Sequence, residues 1–209
     1  MGVNKPFVIT IVGAESSGKT TLAMQLAHHF NCAWVPEYAR EYLMTLHKPY
    51  ITKDLEIIAE EQMKRINEVI GQEKIVAESE SSDLSNQSAM GNRQSLIFGG
   101  VLSDLSSENS ALIDKLSIVN GHSSIVIIDG GMMNLRMWAR IKYGISLPAA
   151  EESLENDITN LYLLCRPQKE WTPDPLREAP SVLERAWIFN QYLKELSQRQ
   201  VSFEIVSSR

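Results

Sequence analysis

The feature that most constrains this chain is the apolar run Phe7-Val8-Ile9-Thr10-Ile11-Val12, which flows straight into Gly13-Ala14-Glu15-Ser16-Ser17-Gly18-Lys19-Thr20. The first half is short and β-branched, the pattern of a strand buried on both faces. The second half has GxxxxGK[ST] spacing. Residues 19–30 follow with helical spacing, placing Leu22, Leu26, Ala27 and Phe30 on one face. Strand, glycine-rich turn and helix in this order make a backbone that holds phosphate. The glycines permit a tight turn whose consecutive N–H groups point inward, and the helix aims its positive end at the same anion. Lys19 is expected to reach the β- and γ-phosphates of ATP, and the Thr20 hydroxyl to ligate Mg²⁺. The expected ATP-binding set is Gly13, Ala14, Glu15, Ser16, Ser17, Gly18, Lys19, Thr20 and Thr21. A serine-glycine turn without a ligand is the bland alternative, and the complete motif in this context disfavours it.

The rest of the chain alternates short apolar runs with helical patterns. Strands are expected at 32–35, 125–129, 160–165 and 201–206, and helices at 37–46, 51–76, 134–143 and 181–199. Thr52 is the expected N-cap of the longest helix, whose stripe runs Leu55, Ile58, Ala59, Gln62, Met63, Ile66, Val69 and Ile70. In the last helix, Leu183, Ala186, Trp187, Asn190 and Leu193 are expected in the core. Met132, Met133, Met137 and Trp138 are read as core as well. Five strands alternating with helices predict an α/β fold of the P-loop NTPase class, a parallel sheet with helices on both faces.

The 209 residues suit one domain, 1–209. Ten of the 32 residues from Ser79 to Ser110 are serine and only Phe98 is aromatic, so about 79–110 is expected to be a loop-like insertion. The apolar patch Leu96–Leu102 interrupts it. A net charge of -6 argues against nonspecific nucleic-acid binding. No apolar run reaches the roughly 20 residues of a membrane span, and the N-terminal run is too short for a signal peptide. Cys32 and Cys165 lack metal-ligand spacing. His28, His29, His47 and His122 lack it too. The expectation is a cytoplasmic protein with no membrane and no nucleic-acid partner.

Ligands of open parallel sheets sit beyond the carboxyl ends of the strands. Two carboxylates fall there. Asp129 ends Ile125-Val126-Ile127-Ile128-Asp129 and is a candidate for Mg²⁺; the alternative is a helix N-cap. Glu37 follows the second strand and could accept the proton of a substrate hydroxyl. Its alternative is a surface pairing with Arg40. Arg40 and Glu41 open a helix where solvent exposure explains them equally well. Downstream, Arg166-Pro167-Gln168-Lys169-Glu170-Trp171-Thr172-Pro173-Asp174-Pro175-Leu176-Arg177-Glu178 is a proline-rich loop. A lid at about 167–180 would let Arg177 place its planar fork on the transferring phosphoryl group. The alternative is a surface loop with Trp171 as a plug.

Taken in order, GAESSGKTTLAMQLAHHF, PEYAREYL, DLEIIAEEQ, KYG and WTPDPLRE resemble the ribosylnicotinamide kinase domain of bacterial bifunctional NAD-salvage regulators and related stand-alone AAA-type ATPases. The resemblance covers nearly the whole chain except about 77–118. It implies a nucleoside-kinase-like P-loop core, ATP and Mg²⁺, and phosphorylation of the ribose 5′-hydroxyl of nicotinamide riboside, a small-molecule nucleoside. It places Glu37, Tyr38 and Arg40 on the nucleoside side, with Trp171 and Arg177 in the lid. Lys19, Glu37, Asp129 and Arg177 become the expected catalytic set, and Thr20 and Asp129 the metal set. The family often has Asp-Thr-Asp where this chain has Asp129-Gly130-Gly131, with one acid in place of two. Other readings are a kinase for another nucleoside or deoxynucleoside and an ATP-binding switch or slow ATPase.

Overall fold

The computed structural model describes residues 5–82, 116, 124–168, 176 and 178–207. Its strands are β1 (Phe7–Gly13), β2 (Ala33–Val35), β3 (Ile125–Asp129), β4 (Leu161–Cys165) and β5 (Phe203–Val206). They form one sheet in the order β2-β3-β1-β4-β5. Every pairing is parallel, with Ile11 opposite Asp129, Gly13 opposite Cys165 and Val35 opposite Ile128. The strand order reverses at β1, the place where open α/β sheets bind ligands.

The helices are α1 (Lys19–His29), α2 (Tyr38–Thr45), α3 (Thr52–Ser82), α4 (Gly131–Trp138), α5 (Pro148–Glu155) and α6 (Val182–Arg199). A π-helical turn, Ala139–Tyr143, extends α4. Side chains alternate across the strands, so the sheet has two apolar faces. Ile9, Ile11, Ile127, Leu161 and Leu163 pack with Leu22, Ala23 and Leu26 of α1. Val8, Val12, Val35, Val126, Ile128 and Leu164 pack with α3, α4, α5 and α6. Leu116 joins the α1 side. Asp129 falls, by this alternation, on the same face as Ile127 and therefore toward α1.

Several expectations need correction. The long helix runs to Ser82, past the expected end at Val76 and into the first serines of the 79–110 segment. Once nucleated, a helix gains one hydrogen bond per added residue, so it outlasts its apolar stripe. The remainder of that segment, with Leu96–Leu102, lies outside the described residues. Thr52 is not the cap. Asp54 holds that end by accepting from the Ile51 N–H at 2.7 Å and from the Tyr42 hydroxyl at 2.8 Å. Helix α4 starts directly behind β3, three residues before the expected Asn134, because Gly130 and Gly131 turn the chain with φ of 76° and 59°. Helix α5 was not anticipated, although Pro148 at its start and the Leu147, Ala150, Leu154 spacing signal it.

The α6 stripe is also different. Leu183 is 82% exposed and Trp187 51%, whereas Arg185, Ile188, Phe189, Tyr192 and Leu196 face inward. The hydrophobic pattern misplaces this face because Arg185 is fully buried on it. Its guanidinium donates to the carbonyls of Ala179 (3.1 Å), Pro180 (2.6 Å) and Gln168 (3.0 Å). A buried charge persists where hydrogen bonds replace its hydration. Ser181 caps α6 through the Glu184 N–H.

Candidate functional site

The phosphate loop leaves β1 at Gly13. A Cβ there would lie 2.8 Å from the Cys165 carbonyl oxygen, and φ is 145°, so only glycine fits. Gly18 (φ 79°) hands the loop to α1, and Ser16 also takes a left-handed conformation at φ 54°. The Ser17 hydroxyl and the Lys19 ammonium both donate to the Ala14 carbonyl, at 2.8 and 2.9 Å. The Ser16 hydroxyl oxygen is buried without a hydrogen-bond partner among the described residues.

Thr20, in the first turn of α1, meets the end of β3. Its hydroxyl donates to Asp129 Oδ2 at 2.6 Å. Asp129 is 1% exposed, and its Oδ1 has no hydrogen-bond partner among the described residues. Burial pushes its carboxyl up to about 6, reinforced by the charge of Glu37 and opposed by the Thr20 hydrogen bond and Lys19. A buried carboxylate with one unused oxygen beside a threonine hydroxyl fits a hard, oxygen-binding divalent cation. No group of three or more potential His, Cys, Asp or Glu ligands occurs among the described residues. Asp129 is not a helix N-cap: Gly130 occupies that position, with no side-chain cap.

Glu37 precedes α2 and is fixed from two sides. Gln62 of α3, itself 1% exposed, accepts from the Tyr38 N–H at 2.7 Å and donates to the Pro36 carbonyl at 3.3 Å, bracketing Glu37 along the backbone. Asn134 of α4 donates to Glu37 Oε1 at 3.3 Å. Asp129-Gly130-Gly131 carries one acid, and the acid whose charge bears on Asp129 is Glu37. A side chain at Gly131 would meet Ile128 Cγ2 at 3.0 Å.

A cavity of about 240 Å³ joins the phosphate loop to Glu37 and Asn134, with Asp129 behind Thr20 and not on its wall. The whole run Gly13–Thr21 lines it, together with Glu37, Arg40, Tyr50, Asn134, Trp138 and Tyr192. Trp138, expected in the core, is half-buried on this wall, where its indole N–H donates to the Tyr50 hydroxyl at 2.6 Å. The Lys142 ammonium lies 3.7 Å from the Tyr50 ring centre and donates to Glu178 at 2.6 Å. Burial is the main reason the Tyr50 phenol is pushed up to about 12. Tyr38 is not on the cavity wall: its ring lies 4.3 Å beneath Arg65, which also pairs through two hydrogen bonds with Glu41. Glu41 is therefore paired rather than merely solvated. Trp171 and Arg177 lie outside the described residues.

Two tertiary contacts of the site were not legible in the sequence. Glu15, inside the loop, accepts the backbone N–H groups of Glu178 and Ala179 at 2.8 and 2.9 Å, tying the loop to the segment before α6. Burial raises its carboxyl above the ordinary value despite those two bonds. Asn134, read only as a helix start, sits between Glu37 and the buried Tyr192, whose hydroxyl donates to Asn134 Oδ1 at 2.9 Å. Neither cysteine is in a disulfide; Cys165 is buried, which pushes its thiol up to about 12. No described helix is long and apolar enough to cross a membrane.

No curated protein sequence matches the chain. Among solved structures, a NadR protein in complex with NR superposes with a TM-score of 0.59 at 17% identity, covering 96% of this chain and 45% of that one. A NadR protein in complex with NAD and AMP-PNP gives 0.56 at 17% identity, covering 96% and 43%. The chain thus spans less than half the length of these NadR chains. Thymidylate kinase from Ehrlichia chaffeensis gives 0.50 at 12% identity, covering 96% and 86%. At these identities the likeness is one of fold, the α/β P-loop fold anticipated from the sequence. The AAA domain family matches residues 8–91 and 111–209, and the chain belongs to that family.

Proposed function

We propose that the protein is an ATP-dependent kinase that transfers the γ-phosphoryl group of ATP to the ribose 5′-hydroxyl of nicotinamide riboside, giving nicotinamide mononucleotide. The observation that carries this reading is the shared cavity: the phosphate loop, the acid Glu37 and the aromatic wall of Tyr50 and Trp138 open onto one space. A nucleoside on that wall would present its hydroxyl between Glu37 and the loop. The NR-bound NadR structure, similar in fold, supports the choice of acceptor.

In this mechanism Lys19 and the loop N–H groups hold the phosphates. Thr20 and Asp129 would hold Mg²⁺, which supplies charge neutralisation on the phosphate oxygens. Glu37 accepts the proton of the acceptor hydroxyl as its oxygen bonds to phosphorus. The bond from phosphorus to the β–γ bridging oxygen breaks, and ADP leaves. Trp171 and Arg177 keep the lid roles that the resemblance implies. Catalysis is then largely positioning and electrostatics.

ATP turnover with and without a panel of nucleosides tests the reading. Strong stimulation by nicotinamide riboside alone is the expected result. Stimulation by a different nucleoside would reassign the acceptor. Turnover indifferent to every nucleoside would leave an ATPase or switch, the reading that the single acid of Asp129-Gly130-Gly131 favours in sequence.

A further inference from the structure

Glu37 Oε1 is held by Asn134 Nδ2 at 3.3 Å, and Asn134 Oδ1 accepts from the Tyr192 hydroxyl at 2.9 Å. Tyr192 is 4% exposed and Asn134 8%, so water offers these polar groups little substitute. The direction of the chain is fixed by chemistry. An ionised carboxylate only accepts, so the amide must turn its NH₂ toward Glu37; its oxygen then faces Tyr192, which must donate. Gly130 makes the room: a Cβ there would sit 2.7 Å from Asn134 Nδ2 and 3.0 Å from Glu37 Oε1. The carboxylate before α2 is thus tied through one amide of α4 to a tyrosine of α6.

We propose that Asn134, oriented by Tyr192, is a positioning residue that locks Glu37 Oε1 and leaves Oε2 to receive the proton of the acceptor hydroxyl. This rests on the reading of Glu37 as the proton acceptor. Loss of Asn134 acts through Glu37, and Tyr192 acts one step further out.

The test is a double-mutant cycle on phosphoryl transfer, run with whichever nucleoside of the panel most stimulates ATP turnover. Asn134→Leu should lower kcat roughly 10- to 100-fold, below the roughly 10²–10⁴-fold of an acid–base group itself, while KM for ATP stays within about twofold. Tyr192→Phe should act in the same direction by roughly 3- to 10-fold, because the amide loses its fixed sense. In the Glu37→Gln background both substitutions should be nearly silent, since groups acting as one unit are not additive. A merely structural role predicts the same fold-loss in both backgrounds, and that outcome overturns the proposal. So does a normal kcat in Asn134→Leu when Glu37→Gln is crippled. If Glu37→Gln is itself silent, or no nucleoside stimulates turnover, the reading of Glu37 fails and the proposal falls with it. Melting temperature monitors folding. Should Asn134→Leu strand the Tyr192 hydroxyl and unfold the protein, the cycle of Tyr192→Phe with Glu37→Gln gives the same decision.

Discussion

The Thr20 hydroxyl and Asp129 Oδ2 stand 2.6 Å apart although 109 residues separate them in sequence. The contact follows from strand alternation. Asp129 lies on the α1 face of the sheet, and Thr20 lies in the first turn of α1. Two motifs that are independent in sequence become one site through a hydrogen bond that either oxygen could exchange for a metal ion.

Asp129 should make stability depend on pH. Its folded value of about 6 lies above its ordinary 3.8, so the folded state binds the proton more tightly. Stability from this residue is therefore full below about pH 4 and is lost as pH rises through about 6, by about 3 kcal/mol at most. Asp129→Asn keeps the shape without the charge. Melting curves in EDTA should show little difference between variant and parent near pH 4, with the variant gaining roughly 2–10 °C by pH 7. A constant difference across that range would contradict the assignment.

Glu37 and Asp129 should respond differently to magnesium. Glu37→Gln is expected to cut phosphoryl transfer by roughly 10²–10⁴-fold without rescue by excess Mg²⁺. Asp129→Asn is expected to raise the Mg²⁺ requirement and recover in part as the ion is added, because the defect is one of occupancy. Initial rates against Mg²⁺ concentration distinguish them, and the reverse pattern would exchange the two roles.

Lys19→Ala should lose at least about 100-fold in transfer, or ~2.7 kcal/mol. The fold should survive, since the lysine's described hydrogen bond is to a carbonyl of its own loop. Circular dichroism and turnover on the same sample check this: a folded variant with near-normal turnover would refute the phosphate-loop reading.

Arg185→Leu should be costly although it puts an apolar residue in a buried place. It strands the carbonyls of Gln168, Ala179 and Pro180, which the guanidinium joins. A loss of about 3 kcal/mol is expected, read as a fall in melting temperature of roughly 6–12 °C. An unchanged melting temperature would mean that water satisfies those carbonyls.

The sequence by itself determined the phosphate loop, the five strands and the parallel α/β class. These rest on local signals: β-branched runs, glycine spacing and helical periodicity each act within a dozen residues. Asp129 and Glu37 were also visible, as acids at strand ends. What only the tertiary structure decided is how distant groups satisfy one another. The buried face of α6 turns on Arg185, whose carbonyl partners no periodicity rule can see. The charge of Glu37 reaches Asp129 because β2 lies beside β3 in the sheet. Asn134 and Gln62 read as ordinary helix residues until folding sets Asn134 against Glu37 and Gln62 against the backbone of Pro36 and Tyr38. A hydrogen bond between elements leaves no periodic trace in sequence, because its partners are brought together by packing and not by spacing.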